Sequence, residues 1–226
     1  MTERTHSKIK FVGLHAHSVA GSIFDGLGFP QEHMEFAYSN GSDALALTDH
    51  GNMNGLSYQV LHAKKMKAEG KDFKPIFGCE AYFLPSIEKW REEYDQAMLD
   101  KKKARAAKKA GASGATVEDE GASKGKSSNV LRRRRHLVLL AQNQTGLNNL
   151  FKLISESYTD ENFYRFPRMD YKLLKKYGEG IIASSACLGG VYAGNYWENR
   201  EEGPEAVLEA MRETTRNMLD VFGDRW

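Results

Sequence analysis

The 226-residue chain is 41% hydrophobic and 27% charged with a formal net charge of +2, the balance of a globular chain with one good-sized core. It has no apolar run of the roughly 18 residues a membrane span needs, and Met1–Lys10 lack the apolar stretch of a secretory signal, so a cytoplasmic protein with no membrane partner is expected. Its two cysteines, Cys79 and Cys187, suit a reducing compartment, where thiols are buried or metal-bound sooner than disulfide-paired.

In chain order, short apolar runs alternate with helical stretches, as in βα units. Ile9–Leu14 reads as a strand running into His15. Pro30 to Asn40 reads as a helix, with proline in its first turn and Gly41 as its stop. Ala44–Thr48 is a second strand, leading into Asp49 and His50. Leu56 to Glu69 is helical, with Leu56, Val60, Ala63 and Lys67 on one face, and Pro75–Leu84 is a third strand centred on Cys79 and Glu80.

Residues 86–131 interrupt this pattern. Ile87, Trp90, Tyr94, Ala97 and Met98 recur at helical spacing, so a helix begins there. The low-complexity stretch of about 101–129 cannot bury enough apolar surface to stay ordered, and 86–131 is read as a surface insertion. It concentrates the basic charge: residues 88–135 hold 14 Lys+Arg against 8 Asp+Glu, which leaves the remainder mildly acidic. Arg132–Arg135 read as a solvated basic flank in preference to a phosphate contact. The pattern resumes with a strand, His136–Ala141, and a helix from about Thr145 to Ser157. Asp170 caps a short helix to Lys176, Gly180–Ser184 is a strand, and Pro204 to Phe222 is an amphipathic helix.

Five side chains able to hold a metal, His15, His50, Glu80, His136 and Cys187, each fall within or at the end of a different expected strand. In a barrel of parallel strands, side chains at the C-terminal ends converge on one mouth, and packing alone does not account for five such residues there. His15 and His17 lie on the same side of an extended chain. Asp25 reads by its surroundings as a turn aspartate. Asp49 either caps the following helix or orients the neighbouring imidazole of His50. Glu80 sits inside an apolar strand, where an unpaired carboxylate is costly, so it calls for a metal, a cation or a mouth-facing position. His136 is either a core histidine or a ligand, and Cys187 either a small buried residue or a ligand.

The motifs Leu14-His15-Ala16-His17-Ser18, Asp25-Gly26, Leu47-Thr48-Asp49-His50-Gly51-Asn52, Phe77-Gly78-Cys79-Glu80-Ala81-Tyr82, His136-Leu137-Val138-Leu139-Leu140-Ala141 and Ser184-Ser185-Ala186-Cys187-Leu188-Gly189-Gly190 form an ordered series. In that order they resemble the PHP (polymerase and histidinol phosphatase) domain at the N-terminus of the bacterial-type, C-family DNA polymerase III alpha subunit. Phe163 to Asp170 and Gly178 to Ile182 are similar to that family as well, so the resemblance covers nearly all of the chain outside 86–131. It implies an α/β fold over residues 1–226, a distorted (β/α)7 TIM-like barrel incomplete at its C-terminus. It also implies up to three divalent metal ions (Zn, Mn, Fe or Mg) at the mouth. Carried over residue by residue, the implied ligands are His15, His17, Asp25, His50, Glu80, His136 and Cys187, with Asp49 behind them; such a mixed donor set suits Zn²⁺ and admits Mn²⁺ or Fe²⁺.

Clustered metals can activate a water and stabilise both the attacking and leaving oxygens at a phosphodiester. The implied activity is a phosphoesterase of 3′–5′ exonuclease (proofreading) type, carried by a DNA-directed DNA polymerase, a nucleotidyltransferase of DNA replication. The implied partners are DNA, the remainder of the polymerase chain and, through it, a proofreading exonuclease and a sliding clamp. The family's closing Asp-x-His pair is missing, since no histidine follows His136, and a fragment is expected. Two alternatives are weaker. A free-standing phosphatase of histidinol-phosphatase type is opposed by the His17-to-Asp25 spacing and the Gly-Cys-Glu-Ala-Tyr strand. A non-catalytic scaffold docking an exonuclease is opposed by seven intact ligand positions.

Overall fold

Proline, glycine and capping polar residues set most element boundaries in the computed structural model, which describes residues 11–109, 130 and 132–226. Helix α1 (Pro30–Ser39) begins on its proline, with Glu32 reaching back to the Phe29 N–H at 2.6 Å. Strand β1 (Ala44–Leu47), helix α2 (Leu56–Ala68), strand β2 (Lys74–Phe83) and helix α3 (Ile87–Lys109) follow. Strand β3 (Arg135–Ala141) leads to α4 (Gln144–Ser157), whose first turn is capped by Asn143 accepting from Gly146 N at 3.0 Å. A short hairpin, β4 (Phe163–Tyr164) and β5 (Phe166–Met169), precedes α5 (Tyr171–Tyr177), capped by Asp170 accepting from Leu173 N at 3.0 Å. Strand β6 (Ile181–Ser184) and helices α6 (Val191–Asn199) and α7 (Pro204–Phe222) complete the described elements. No helix among the described residues is long and apolar enough to cross a membrane.

The β4–β5 hairpin and α6 were not expected. The hairpin is too short to show a period of two, contains Pro167, and turns on Arg165 at φ 58°. Helix α6 carries Gly194 and several aromatics, weak helix formers. Tertiary contacts hold it against α7: the Tyr192 and Thr215 hydroxyls lie 2.7 Å apart, and Asn195 Nδ2 donates to Thr214 Oγ1 at 2.7 Å.

The sheet is mixed, in the order β4-β5-β2-β3-β6, with β1 pairing β2 in parallel. Strands that are all parallel were expected, and β3 departs from this. Strand β3 runs antiparallel to both β2 and β6, because the chain leaves and re-enters the sheet at the same end. Trp90 in α3 donates from Nε1 to Val130 O at 2.8 Å, tying the exit of β2 to the approach of β3. Among the described residues the pairing ends at β6 and does not close on the first segment. Of the expected strand Ile9–Leu14, residues 9–10 lie outside the described residues, and Gly13 makes a single parallel bridge to Leu45.

Strand alternation divides the sheet into two faces. Ala81, Phe83, Leu137, Leu139, Ile181 and Ala183 pack with Leu150 and Leu153 of α4, Leu174 of α5, and Met218 and Phe222 of α7 as the main core. The alternate residues Glu80, Tyr82, His136, Val138 and Leu140 turn to the other face. At the start of the expected insertion, Leu84, Ile87 and Trp90 form a buried cluster joined by Tyr94, Val130, Tyr164 and Leu173. Residues 101–109 of the stretch expected to be disordered are helical, as Ala, Lys and Arg favour helix. Residues 110–129 of that expectation lie outside the described residues.

Candidate metal centre

Register and alternation bring Glu80 to the centre of the second face. Tyr82 pairs with His136 across β2 and β3, so Glu80 and the imidazole two rungs away project to the same side. The Glu80 side chain is 0% exposed, and four imidazoles close around it. His15 Nε2, His17 Nε2 and His50 Nδ1 each lie 3.1 Å from Oε2, and His136 Nδ1 lies 2.9 Å from Oε1. Cys187 Sγ stands 3.8 Å from Oε1 and 3.7 Å from His136 Nδ1. Asp25 joins from the opposite side, its Oδ2 2.8 Å from His50 Nε2. The seven side chains singled out in the sequence therefore meet in one constellation. His136 does so from the start of its strand rather than the end, as the reversal of β3 requires.

Buried hydroxyl and carboxylate groups hold the histidine-bearing loop against the end of β1. Ser18 N and Oγ donate to the two oxygens of Asp49 at 2.6 and 2.8 Å, and His50 N donates to Ser22 Oγ at 3.0 Å. Asn52 Nδ2 donates to Gly21 O at 2.9 Å, and Thr48 N to Ala16 O at 2.8 Å. This corrects the role expected of Asp49: both its oxygens are engaged by Ser18, so it braces the segment beside His17 instead of the ring of His50. Gly21 packs against the Asp49 side chain, where a Cβ would come 2.6 Å from Asp49 Cβ. Ser18 and Ser22, both buried, were missed in the sequence. Their only signal was small polar residues flanking a metal-capable pair.

A tight turn delivers Cys187. Ala186 adopts φ 60°, Gly190 N donates to Cys187 O at 2.8 Å, and His136 N donates to Gly189 O at 2.8 Å. Gly189 lies against the imidazole, where a Cβ would come 3.1 Å from His136 Nδ1. The other thiol, Cys79, is fully buried in β2, and desolvation pushes its pKa up, out of the range in which a thiolate forms readily.

Burial by itself would raise the Glu80 carboxyl, but His136, His15 and His17 outweigh it and hold its pKa well below the usual carboxylate range. His17 is raised, chiefly by its contact with Glu80 and against the opposing effect of burial. His50 is lowered, chiefly by burial, with Glu80 and Asp25 opposing. Glu80 is thus a fixed negative charge beside two rings, His17 and His50, that are shifted in opposite directions.

The donor set fits a metal. Glu80 Oε2 and His50 Nδ1 are buried and close, yet neither has a hydrogen-bond partner among the described residues, and His17 Nδ1 is also without one. Nitrogen and carboxylate donors that converge without an N–H aligned between them are arranged toward a shared cation. Three groups have ligand atoms within 4.8 Å of one another: His15, His17 and Glu80; His17, Asp25 and His50; and His50, Glu80 and His136. Imidazole, carboxylate and the adjacent thiol suit a borderline divalent ion.

A family model described as the PHP domain matches residues 13–225. The DNA polymerase III subunit alpha of Aquifex aeolicus is 36% identical over 214 residues, covering 95% of this chain and 15% of that protein. The subunit of the same name from Treponema pallidum is 36% identical over 185 residues, covering 81% of this chain and 12% of that protein. The chain thus spans between 12% and 15% of the length of these relatives. A solved amidohydrolase from Chromobacterium violaceum aligns at 17% identity and a TM-score of 0.32, over 64% of this chain and 34% of that one.

Proposed function

Because the chain belongs to the PHP domain family, we propose that its cluster holds divalent metal ions and hydrolyses phosphoesters at the end of a DNA strand. The observation that carries this reading is Glu80 Oε2, a buried anionic oxygen with three imidazole nitrogens at 3.1 Å and no aligned hydrogen bond. His15, His17 and Glu80 would hold one ion and His50, Glu80, His136 and Cys187 another; His17, Asp25 and His50 form an overlapping group that would serve an ion only where those two rings are not already engaged. Bound there, the ions would supply activation of water and neutralisation of charge at a phosphodiester. Glu80 keeps its charge through the neutral range and can be shared between ions. Asp25 fixes the ring of His50 from outside, and Asp49, through Ser18, keeps the His15–His17 segment against β1.

The parent protein is read as a DNA polymerase III alpha subunit, a DNA-directed DNA polymerase of the cytoplasm. Its partners are DNA, the rest of its own chain, a proofreading exonuclease and a sliding clamp. Support comes from the relatives' names and the coverage of 95% of this chain. The mixed sheet is read as part of a distorted (β/α)7 barrel. The test is to reconstitute the whole protein with Mn²⁺, Zn²⁺ or Mg²⁺, measure metal content, and follow shortening of 5′-labelled DNA from its 3′ end. At least two metals per chain and chelator-sensitive shortening are expected, with Glu80→Gln losing both. Less than one metal per chain after reconstitution would sink the reading.

A further inference from the structure

The four arginines before β3 do not share one environment. Arg133 pairs with Glu93 at 2.9 Å, Arg135 pairs with Glu198, and Arg132 is exposed. Arg134 has no carboxylate partner among the described residues. Its guanidinium carbon instead lies 3.8 Å over the Phe166 ring and 5.3 Å from the centre of the Tyr82 ring. The Nε is buried with no hydrogen-bond partner among the described residues, and Nη1 donates to Arg132 O at 3.3 Å.

Tyr82 separates this cation from the cluster by a single ring: its centroid lies 5.8 Å from that of His50, at an interplanar angle of 2°, and 5.5 Å from that of His136. The seat is also rigid. Arg168, 0% exposed, donates from Nε to Arg133 O at 3.1 Å and from Nη1 to Tyr164 O at 2.8 Å and Phe166 O at 3.0 Å. It therefore fixes the backbone on both sides of the Arg134–Phe166 stack.

We propose that Arg134, stacked on Phe166 and Tyr82, is the residue at the mouth that receives a phosphate of the substrate. The buried Nε–H without an acceptor is costly, and a guanidinium laid flat on an aromatic ring with only Nη1 turned to Arg132 O has N–H groups left over for an oxyanion that reaches its edge. A fixed cation one aromatic ring away from a centre built to collect cations is repelled by them, and a bound anion within reach of both offsets that repulsion. A phosphate supplies that anion. The proposal rests on the phosphoesterase reading above for the identity of the ligand, though not for the geometry of the seat.

The probe is inorganic phosphate, titrated into the whole protein by phosphorus NMR, once with chelator and once with Mg²⁺. Arg134→Gln is expected to weaken binding about tenfold in both arms, the worth of a charge-assisted hydrogen bond, with metal content unchanged. Arg133→Gln, which alters only the exposed pair with Glu93, is expected to leave binding intact. If Arg134→Gln fails to fold, Arg134→Lys keeps the charge but not the fork and is expected to give an intermediate loss. Equal phosphate affinity in the native protein and the Arg134 variants, or no binding by the native protein, overturns the seat. Loss confined to Arg134 variants in a protein that hydrolyses no phosphoester would instead remove the function proposed above and leave the seat standing.

Discussion

Glu80 shows how much one buried charge organises around itself. A carboxylate taken out of water is stable only with compensating partners, and here four imidazoles and a thiol converge on it. Glu80→Gln keeps the shape and removes the charge. Divalent-metal affinity is expected to fall by at least about tenfold, read by competition with a chromophoric chelator; unchanged affinity would remove Glu80 from the ligands. Glu35 offers a pH prediction away from the cluster. It contacts Lys71 Nζ at 2.9 Å and His62 Nε2 at 2.9 Å, bridging α1 to α2 and the segment after it. Burial tends to raise its carboxyl, but Lys71 and His62 prevail and lower it from 4.5. A lowered carboxyl stabilises the fold above its ordinary pKa and loses that contribution as pH falls through the folded value. The melting temperature of Glu35→Gln should therefore lie slightly below that of the parent at pH 7 and converge on it in acid, a small gap because the pair is partly exposed. The grouping of His15, His50, Glu80 and His136 was legible in the sequence because each falls within or at the end of a different expected strand, with His17 on the same side of the chain as His15. The service of Asp49 to Ser18 was not, since periodicity does not reveal which of two polar neighbours a buried carboxylate will choose.

At the scale of elements, Arg168 and Gly146 hold pieces that no helix or strand pattern links. Arg168 joins the approach to β3, the β4–β5 hairpin and α3, its guanidinium carbon 4.2 Å over the Trp90 ring. Burial, and then the nearby charge of Arg134, bring its pKa down to about 10. Arg168→Met would leave the carbonyls of Arg133, Tyr164 and Phe166 short of a donor, and a loss of about 2–4 kcal/mol is expected, measured by urea unfolding with tryptophan fluorescence as the signal. Gly146, in the first turn of α4, lies so close to the Gly180 carbonyl that a Cβ would overlap it. Gly146→Ala should push α4 away from the start of β6 at a cost of about 1–3 kcal/mol, by the same measurement. Long periodic elements such as α2, β2 and α7 were legible nearly to the residue. The hairpin and α6 were not, because their stability comes from Arg168 and α7 and not from their own sequence. The direction of β3 was hidden for a related reason: a strand's composition is the same whichever way it runs, and the bond from Trp90 to Val130, which holds the exit of β2 beside the approach to β3, leaves no mark on periodicity.

For the molecule as a whole, the cluster sits on the face of the mixed sheet that the main core leaves free. Imidazoles bind metal only when neutral, so metal binding releases protons and loading should fall as pH drops through the histidine range. Equilibrium dialysis between pH 8 and pH 5 would check this, and flat loading across that interval would exclude a centre dominated by histidine. The reversal of β3 has a wider consequence. In a parallel barrel only the loops that leave strands reach the mouth, whereas here the stretch Arg132–Arg134 arrives at one and reaches it too. Chain inserted before Arg132 can therefore reshape the vestibule without shifting the pairing of any strand, so different antechambers can be grafted onto one histidine-lined floor. The same geometry supplies a ruler. Position 132 is four residues of chain from His136, about 14 Å at full extension, so a nitroxide attached there would lie within magnetic reach of Mn²⁺ bound at Glu80 and would report, by the loss of its signal, when the centre fills.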